Sequence, residues 1–217
     1  MDAVLWDMDG LMIDSEPLWT LAEEELASTL GGTWDAEVKA RIVGTRLDVA
    51  VPTILTYFGV DATPERVADT GAWLLGRMVE LFTLDQLPLL PGVRSLLAAL
   101  ADERVPMALV SSSYRVLVDA VLAGGVGPFA VTLSGDEVDR GKPAPDPYLL
   151  AAARLGVDVT RCVVLEDSPA GVASGEAAGC AVVAVPSVQG VHLAPGPRRL
   201  VVPTLDGLTP AHLRALV

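Results

Sequence analysis

Two aspartates one residue apart, Asp7 and Asp9, close the apolar run VLW, and Gly10 follows them directly. On an extended strand, residues i and i+2 point to the same side, about 6–7 Å apart along the chain. Like charges placed so close repel, and removing even one of them from water is costly. Something else in the chain has to compensate them. Three further groups have the right chemistry and follow apolar runs of their own: Ser111–Ser113 after MALV, Lys142 in GKP, and Glu166–Asp167 after CVVL. Each alone has an ordinary use as a solvated loop residue or a helix cap. Together they make an inventory of carboxylates, hydroxyls and one cation. An oxygen-only set with no histidine beside it suits a hard divalent cation, and Mg²⁺ if phosphate oxygens are also to be held.

Lys142 stands out on composition. Of fifteen basic residues only Lys39 and Lys142 are lysines, so a compact point charge between Gly141 and Pro143 departs from the chain's own habit. The segment GDEVDRGKP is not a phosphate-binding P-loop: five residues separate Gly135 from Gly141, and Pro143 stands where Ser or Thr is required. The three serines precede the helical pattern YRVLVDAVLAGG, where a hydroxyl and free backbone N–H groups form an anion site. Capping that helix would use one serine, not three.

The elements that must position these groups read clearly. Short, continuous, Val-rich runs start near residues 4, 107, 130, 162, 181 and 200, the pattern of strands covered on both faces. Helical patterns lie between them. Val93, Leu96, Leu97 and Leu100 form one apolar stripe. DPYLLAAARLG reads as a helix with Asp146 at the N-cap, Pro147 in its first turn and Gly156 past its end, and SPAGVASGEAAG as one capped by Ser168. Strand and helix alternate from about residue 92, which implies an α/β fold with an open, mostly parallel sheet. In such sheets ligands bind at the carboxyl ends of the strands, where all the groups above fall. Residues 15–88 break the rhythm with helical patterns alone, a block inserted after the first strand. Pro52 blurs where the segment TRLDVAVPTILTYFG becomes helical.

The bulk numbers exclude several classes. Hydrophobic content of 51% in 217 residues supports a sizeable core rather than disorder. A formal net charge of −13 argues against a nucleic-acid partner but not against a small anion, since one local cation reverses the field inside a site. No run is long enough to span a membrane, and no basic residue precedes Lys39, so no secretory signal is read. Cys162 and Cys180 lie in apolar runs and read as free, buried thiols. A cytoplasmic protein acting on a small molecule is expected, with a monomer as the default oligomeric state. His192 and His212 receive no catalytic role.

Taken together, DMDGLMIDSEP, VSSS, GKPAPDP and LEDSPAG resemble the haloacid dehalogenase (HAD) superfamily, in the expected order and across nearly the whole chain. The insertion resembles the helical cap of the β-phosphoglucomutase-like subgroup. DMDGLMIDSEPLW and PLLPGVRSLL are most similar to sugar-phosphate phosphatases of the 2-deoxyglucose-6-phosphatase or hexitol-phosphatase type. The resemblance implies a Rossmann-like catalytic core over residues 1–14 and 89–217, and a cap over 15–88, hinged near 14–16 and 85–89.

It also implies a Mg²⁺-dependent phosphatase working through an aspartyl-phosphate. Asp7 would be the nucleophile and Asp9 the acid/base. Asp7, Asp9 (through its main-chain carbonyl) and Asp167 would hold the metal. Ser111, Ser112 and Lys142 would bind the phosphoryl oxygens, and Glu166 would orient Lys142 or a metal-bound water. Trp19 and Arg46 are the cap candidates for substrate contact. Trp19 also stands where a mutase of this subgroup carries a histidine, and Lys39 is not where its cap lysine is expected, which favours hydrolysis over a β-phosphoglucomutase-type reaction. A dehalogenase would need neither Asp9 nor a metal set. A phosphate-binding protein without turnover is the alternative of another class.

Overall fold

The computed structural model describes residues 1–42, 45–84, 87–187 and 193–217. Asp85 and Gln86, at the second expected hinge, and His192 lie outside the described residues. The chain divides into two compact units, Met1–Ser15 with Leu87–Val217, and Glu16–Gln86.

The first unit is built on a six-stranded sheet in the order β3-β2-β1-β4-β5-β6. Its strands are β1 (Ala3–Trp6), β2 (Met107–Val110), β3 (Val131–Leu133), β4 (Cys162–Glu166), β5 (Ala181–Ala184) and β6 (Arg199–Val201). Every neighbouring pair is parallel. This is the parallel α/β sheet expected from the Val-rich runs, and the Rossmann-like core that the resemblance implies. β1, β2, β4 and β5 are buried at every position, which is why their sequences show no alternation. One core layer joins Ala3 and Leu5 of β1 to Val164, Val182 and Tyr148.

The helices of this unit among the described residues are α5 (Val93–Asp102), α6 (Arg115–Ala123), α7 (Asp146–Leu155), α8 (Pro169–Ala177) and α9 (Pro210–Arg214), while α1–α4 belong to the second unit. In α5 the stripe of Val93, Leu96, Leu97 and Leu100 is buried, as its spacing requires. Ser168 caps α8, its hydroxyl accepting from the Gly171 N–H. One expectation needs correction. Asp146 does not cap α7; it is the first helical residue, and its carboxylate pairs with Arg140. The N-cap residue of α6 is Tyr114.

The two chain passages that flank the second unit run side by side. Ile13 and Leu89 form an antiparallel bridge, the Asp14 N–H donates to the Pro88 carbonyl, and the Leu90 N–H donates to that of Met12.

The second unit is helical: α1 (Glu16–Thr29), α2 (Ala36–Ile42), α3 (Leu47–Tyr57) and α4 (Pro64–Leu84). Pro52 sits inside α3, which begins five residues before it. Arg77 of α4 grips Glu25 of α1 through two N–H groups at 2.7 and 2.8 Å, the bidentate geometry an arginine offers. Lys39 of α2 bridges Glu16 and Glu23 of α1 at 2.7 and 2.8 Å.

Back in the sheet unit, the loop after β3 is tied to the serine loop after β2. The Gly135 N–H donates to the Ser113 carbonyl, Asp136 accepts from the Arg115 N–H, and Glu137 pairs with the Arg115 guanidinium while closing a capping box with Ser134. Partial burial works against the charge of Glu137, but Arg115 and Ser134 outweigh it and hold its pKa at about 2. That lies below its ordinary value of 4.5, so ionised Glu137 stabilises the fold above about pH 4.5, and the contribution fades as pH falls toward 2. The Tm difference between wild type and Glu137→Gln is therefore expected to be largest near pH 6 and to shrink steadily below pH 4.5. Thermal denaturation across that pH range measures it, and a pH-independent difference would contradict the assignment.

Candidate active site

β1 ends at Trp6, and the Asp7 N–H extends its pairing by one step, donating to the Leu165 carbonyl of β4. Asp7 therefore leaves the carboxyl end of the central strand with 6% of its surface exposed. Asp9 is not on that strand, as its i, i+2 spacing suggested. Gly10, at φ +80°, turns the chain so that Asp9 bridges to Ile13. The two carboxylates consequently meet different partners.

Asp7 faces a cation. The Lys142 ammonium donates to Asp7 Oδ1 at 2.5 Å, to Glu166 Oε1 at 2.6 Å and to the Val110 carbonyl at 3.0 Å. These use all three of its N–H donors. Its side chain is 5% exposed and that of Glu166 is 0% exposed. Glu166 is held on its other oxygen as well, where Oε2 accepts from the Asp167 N–H, the Ser168 N–H and the Ser168 hydroxyl. Burial opposes its charge, yet Lys142 and these donors leave its pKa below the usual carboxylate value. Lys142 is likewise held protonated, with burial outweighed by Asp7 and Glu166. Burial drives Asp7 well above the ordinary aspartate value; Lys142 opposes the rise, and Glu166 and Asp167 add to it.

Asp9 meets hydroxyls instead. Ser15 donates to Oδ1 at 2.7 Å, and Ser113 to Oδ2 at 2.8 Å, with Ser111 at 3.4 Å. Ser111 is buried and accepts from the Ser113 N–H, while Ser112 is exposed.

Asp7, Glu166 and Asp167 each offer an oxygen within 4.8 Å of the others, the metal-capable group among the described residues. With Lys142 they make three negative charges against one positive, a net −2 in a buried space. Burial, chiefly, pushes Asp167 up to about 6. Crowded carboxylates strained toward protonation are what a divalent cation would relieve, so the donor set fits one. Gly10 belongs to this packing, because a Cβ there would lie 2.2 Å from Asp167 Oδ2.

Three parallel-strand ends and the loop after β3 thus bring Asp7, Asp9, Ser111, Lys142, Glu166 and Asp167 to one edge of the sheet. A sequence model of the hydrolase family described as haloacid dehalogenase-like hydrolase matches residues 1–179. The chain belongs to that family.

Haloacid dehalogenase-like relatives sharpen the setting. Hexitol phosphatase A of Escherichia coli (strain K12) is 37% identical over 183 residues, covering 83% of this chain and 81% of that protein. The bifunctional riboflavin kinase/FMN phosphatase of Arabidopsis thaliana is 34% identical over 190 residues, 85% of this chain, which spans 48% of that longer protein. A solved variant of CbbY from Rhodobacter sphaeroides, in complex with xylulose-1,5-bisphosphate, superposes with a TM-score of 0.84 at 26% identity, covering 98% of this chain and 99% of that one.

Trp19 and Arg46 belong to the helical unit. Trp19 is half-buried on α1, and Arg46 is exposed at the N-cap of α3, its Nε 3.7 Å from Asp48. Sequence reasoning missed three participants in this HAD-like core. Tyr148 was read only as part of a helix, yet its hydroxyl donates to Glu166 at 2.8 Å. Ser15 reaches Asp9, and Ser187 donates to Asp167 Oδ2 at 2.5 Å. Their signal was weak because hydroxyl residues are common near turns.

Gly171 has a readable role. A Cβ there would lie 1.8 Å from Glu166 Oε1, so only glycine leaves room for that carboxylate beneath α8. Gly→Ala inside a helix ordinarily stabilises by up to about 1 kcal/mol. Here Gly171→Ala is expected to destabilise by roughly 1–3 kcal/mol through overpacking, and to lower activity by displacing Glu166. Denaturant unfolding and turnover assays check both.

Proposed function

We propose that this hydrolase is a Mg²⁺-dependent phosphomonoester phosphatase that removes phosphate from a small phosphorylated metabolite, a sugar or polyol phosphate, through an aspartyl-phosphate on Asp7. The observation that carries the reading is the buried ammonium of Lys142 placed against Asp7. It supplies a fixed positive charge where a phosphoryl group would meet a carboxylate nucleophile.

Asp7 attacks phosphorus in line, forming the O–P bond as the bond to the substrate oxygen breaks. Asp9 protonates that departing oxygen, releasing the alcohol. Water then attacks the same phosphorus, Asp9 takes its proton, and the acyl-phosphate bond breaks to return the Asp7 carboxylate and inorganic phosphate. Ser111, the Ser112 backbone and Lys142 bind the non-bridging oxygens. The phosphoryl group takes over the N–H of Lys142 that now serves Asp7, while Val110 and Glu166 keep the other two. Asp7, the Asp9 main-chain carbonyl and Asp167 would hold the cation, beside Glu166. When bound, the cation supplies neutralising charge that lets an anionic phosphate approach an anionic nucleophile. The oxygen-only donor set is why Mg²⁺ is named.

Sugar and polyol phosphates are favoured because hexitol phosphatase A and the CbbY complex, as named above, concern such compounds. Trp19 and Arg46 are assigned to the substrate because an indole and a guanidinium suit a sugar phosphate. Among the described residues no helix is long and apolar enough to cross a membrane. A cytoplasmic monomer acting on a diffusible metabolite completes the proposal.

A panel of phosphorylated metabolites with Mg²⁺, read for free phosphate and for isomerised product, tests it. Phosphate release is expected from sugar or polyol phosphates, and isomerisation without release would overturn the hydrolytic reading. Asp7→Asn is expected to lower turnover by at least about a thousandfold with the fold intact, and Asp9→Asn by about a hundredfold or more. Undiminished phosphate release from Asp7→Asn would remove the covalent mechanism.

A further inference from the structure

We infer that Tyr148 is a positioning residue, holding Lys142 at the phosphoryl site by way of Glu166; the inference rests on the proposed phosphatase chemistry. Tyr148 is fully buried in the first turn of α7, on the core layer beneath β1 and β4. A tyrosine that only filled this core would need no partner of special chemistry. Its hydroxyl instead donates to Glu166 Oε1, the same oxygen that accepts from Lys142. Its ring lies against the same lysine, whose ammonium is 5.2 Å from the ring centroid. One side chain therefore touches both members of the pair that the chemistry depends on.

The donor count shows what the contact does. Glu166 receives five donors: Lys142 and Tyr148 on Oε1, and two N–H groups and the Ser168 hydroxyl on Oε2. A carboxylate has about four lone-pair sites, so its orientation is over-determined. The Oε2 donors come from its own chain within two residues and fix only one end. Tyr148, reaching Glu166 from 18 residues away, fixes the other. Without the phenol, Oε1 would keep Lys142 as its one partner, and the two could rotate together, away from Asp7. With it, the lysine is anchored by Glu166 and the Val110 carbonyl, neither of which reacts, and its third N–H is left aimed at the reacting centre. Burial and the neighbouring Glu166 also keep the phenol protonated, and so a donor, throughout the working pH range.

The test compares wild type, Tyr148→Phe, Glu166→Gln and the double variant. Each is assayed for kcat and KM on a simple aryl phosphate with Mg²⁺, and for thermal protection by inorganic phosphate. Tyr148→Phe retains the ring and is expected to fold. It should lower kcat/KM about tenfold, the size usual for losing a group that orients a site residue. In the Glu166→Gln background the same change should cost less than about twofold, because the route through Glu166 is already broken. Thermal protection by inorganic phosphate should fall in Tyr148→Phe in parallel. A tyrosine serving only as core would cost the same factor in both backgrounds; that result, or no loss at all, overturns the inference. If Glu166→Gln does not fold, wild-type phosphate protection in Tyr148→Phe overturns it instead. A wild-type chain that turns over no phosphate ester fails the phosphatase reading, while the phosphate-protection comparison still decides the placement of Lys142.

Discussion

The site depends on one buried ammonium shared between two carboxylates. Desolvating an ion costs several kcal/mol after relaxation, and isolated pairs in a protein interior often do no better than break even. Lys142 meets that cost by using every donor it has, on Asp7, Glu166 and the Val110 carbonyl. Glu166 meets its own by accepting five hydrogen bonds. What is left over is charge: Asp7 and Asp167 exceed what one lysine can neutralise. A structure that stabilised only itself would have fewer carboxylates here. That excess is what a bound cation would offset, and under the proposed function the offset would also admit a phosphate.

The fold serves this arrangement through a few economical contacts. β2, β1 and β4 lie side by side, so the serine loop, Asp7 and the Glu166–Asp167 pair emerge as neighbours without any long connection. Ser168 works twice: its hydroxyl caps α8 by accepting from Gly171 and donates to Glu166. The helix start and the carboxylate are thereby placed by the same atom. Gly171 then leaves the space that the carboxylate fills, and Gly10 does the same for Asp167. Glycine at Gly171 reflects close approach alone, whereas Gly10 combines close approach with a left-handed turn.

How much of this was legible beforehand depended on the range of the interaction. The strands announced themselves as unbroken apolar runs, and α5 as a stripe, because burial on a regular element leaves a periodic trace. Ser168 was recognisable as a cap because its partner lies three residues on. Asp146 carried the same local signature and misled, since a neighbouring arginine claimed its carboxylate. Ser111–Ser113 also looked like a helix start, yet Ser111 and Ser113 turn to Asp9, more than a hundred residues earlier in the chain. Tyr148 left no trace at all. An aromatic in the first turn of an amphipathic helix reads as core, and only the tertiary fold shows that its one polar atom has been given to Glu166. The chemistry-bearing residue types were visible; the hydrogen bonds that set them were not.

Asp7 and Asp9 show why such bonds matter for function. The two residues are the same amino acid, two positions apart, and they differ almost entirely in their neighbours. Asp7 faces an ammonium, which donates hydrogen bonds and cannot accept one. The ammonium favours the ionised carboxylate that the proposed attack needs, against the burial and neighbouring carboxylates that raise its pKa. Asp9 is surrounded by Ser15, Ser111 and Ser113, whose hydroxyls can donate to a carboxylate or accept from a carboxylic acid. Such neighbours can reorient when a proton arrives or leaves, with no buried partner stranded in either state. Division of labour between two carboxylates commonly follows from environment rather than identity. Here the division begins at Gly10, because the turn it permits takes Asp9 off the strand and away from the partners of Asp7.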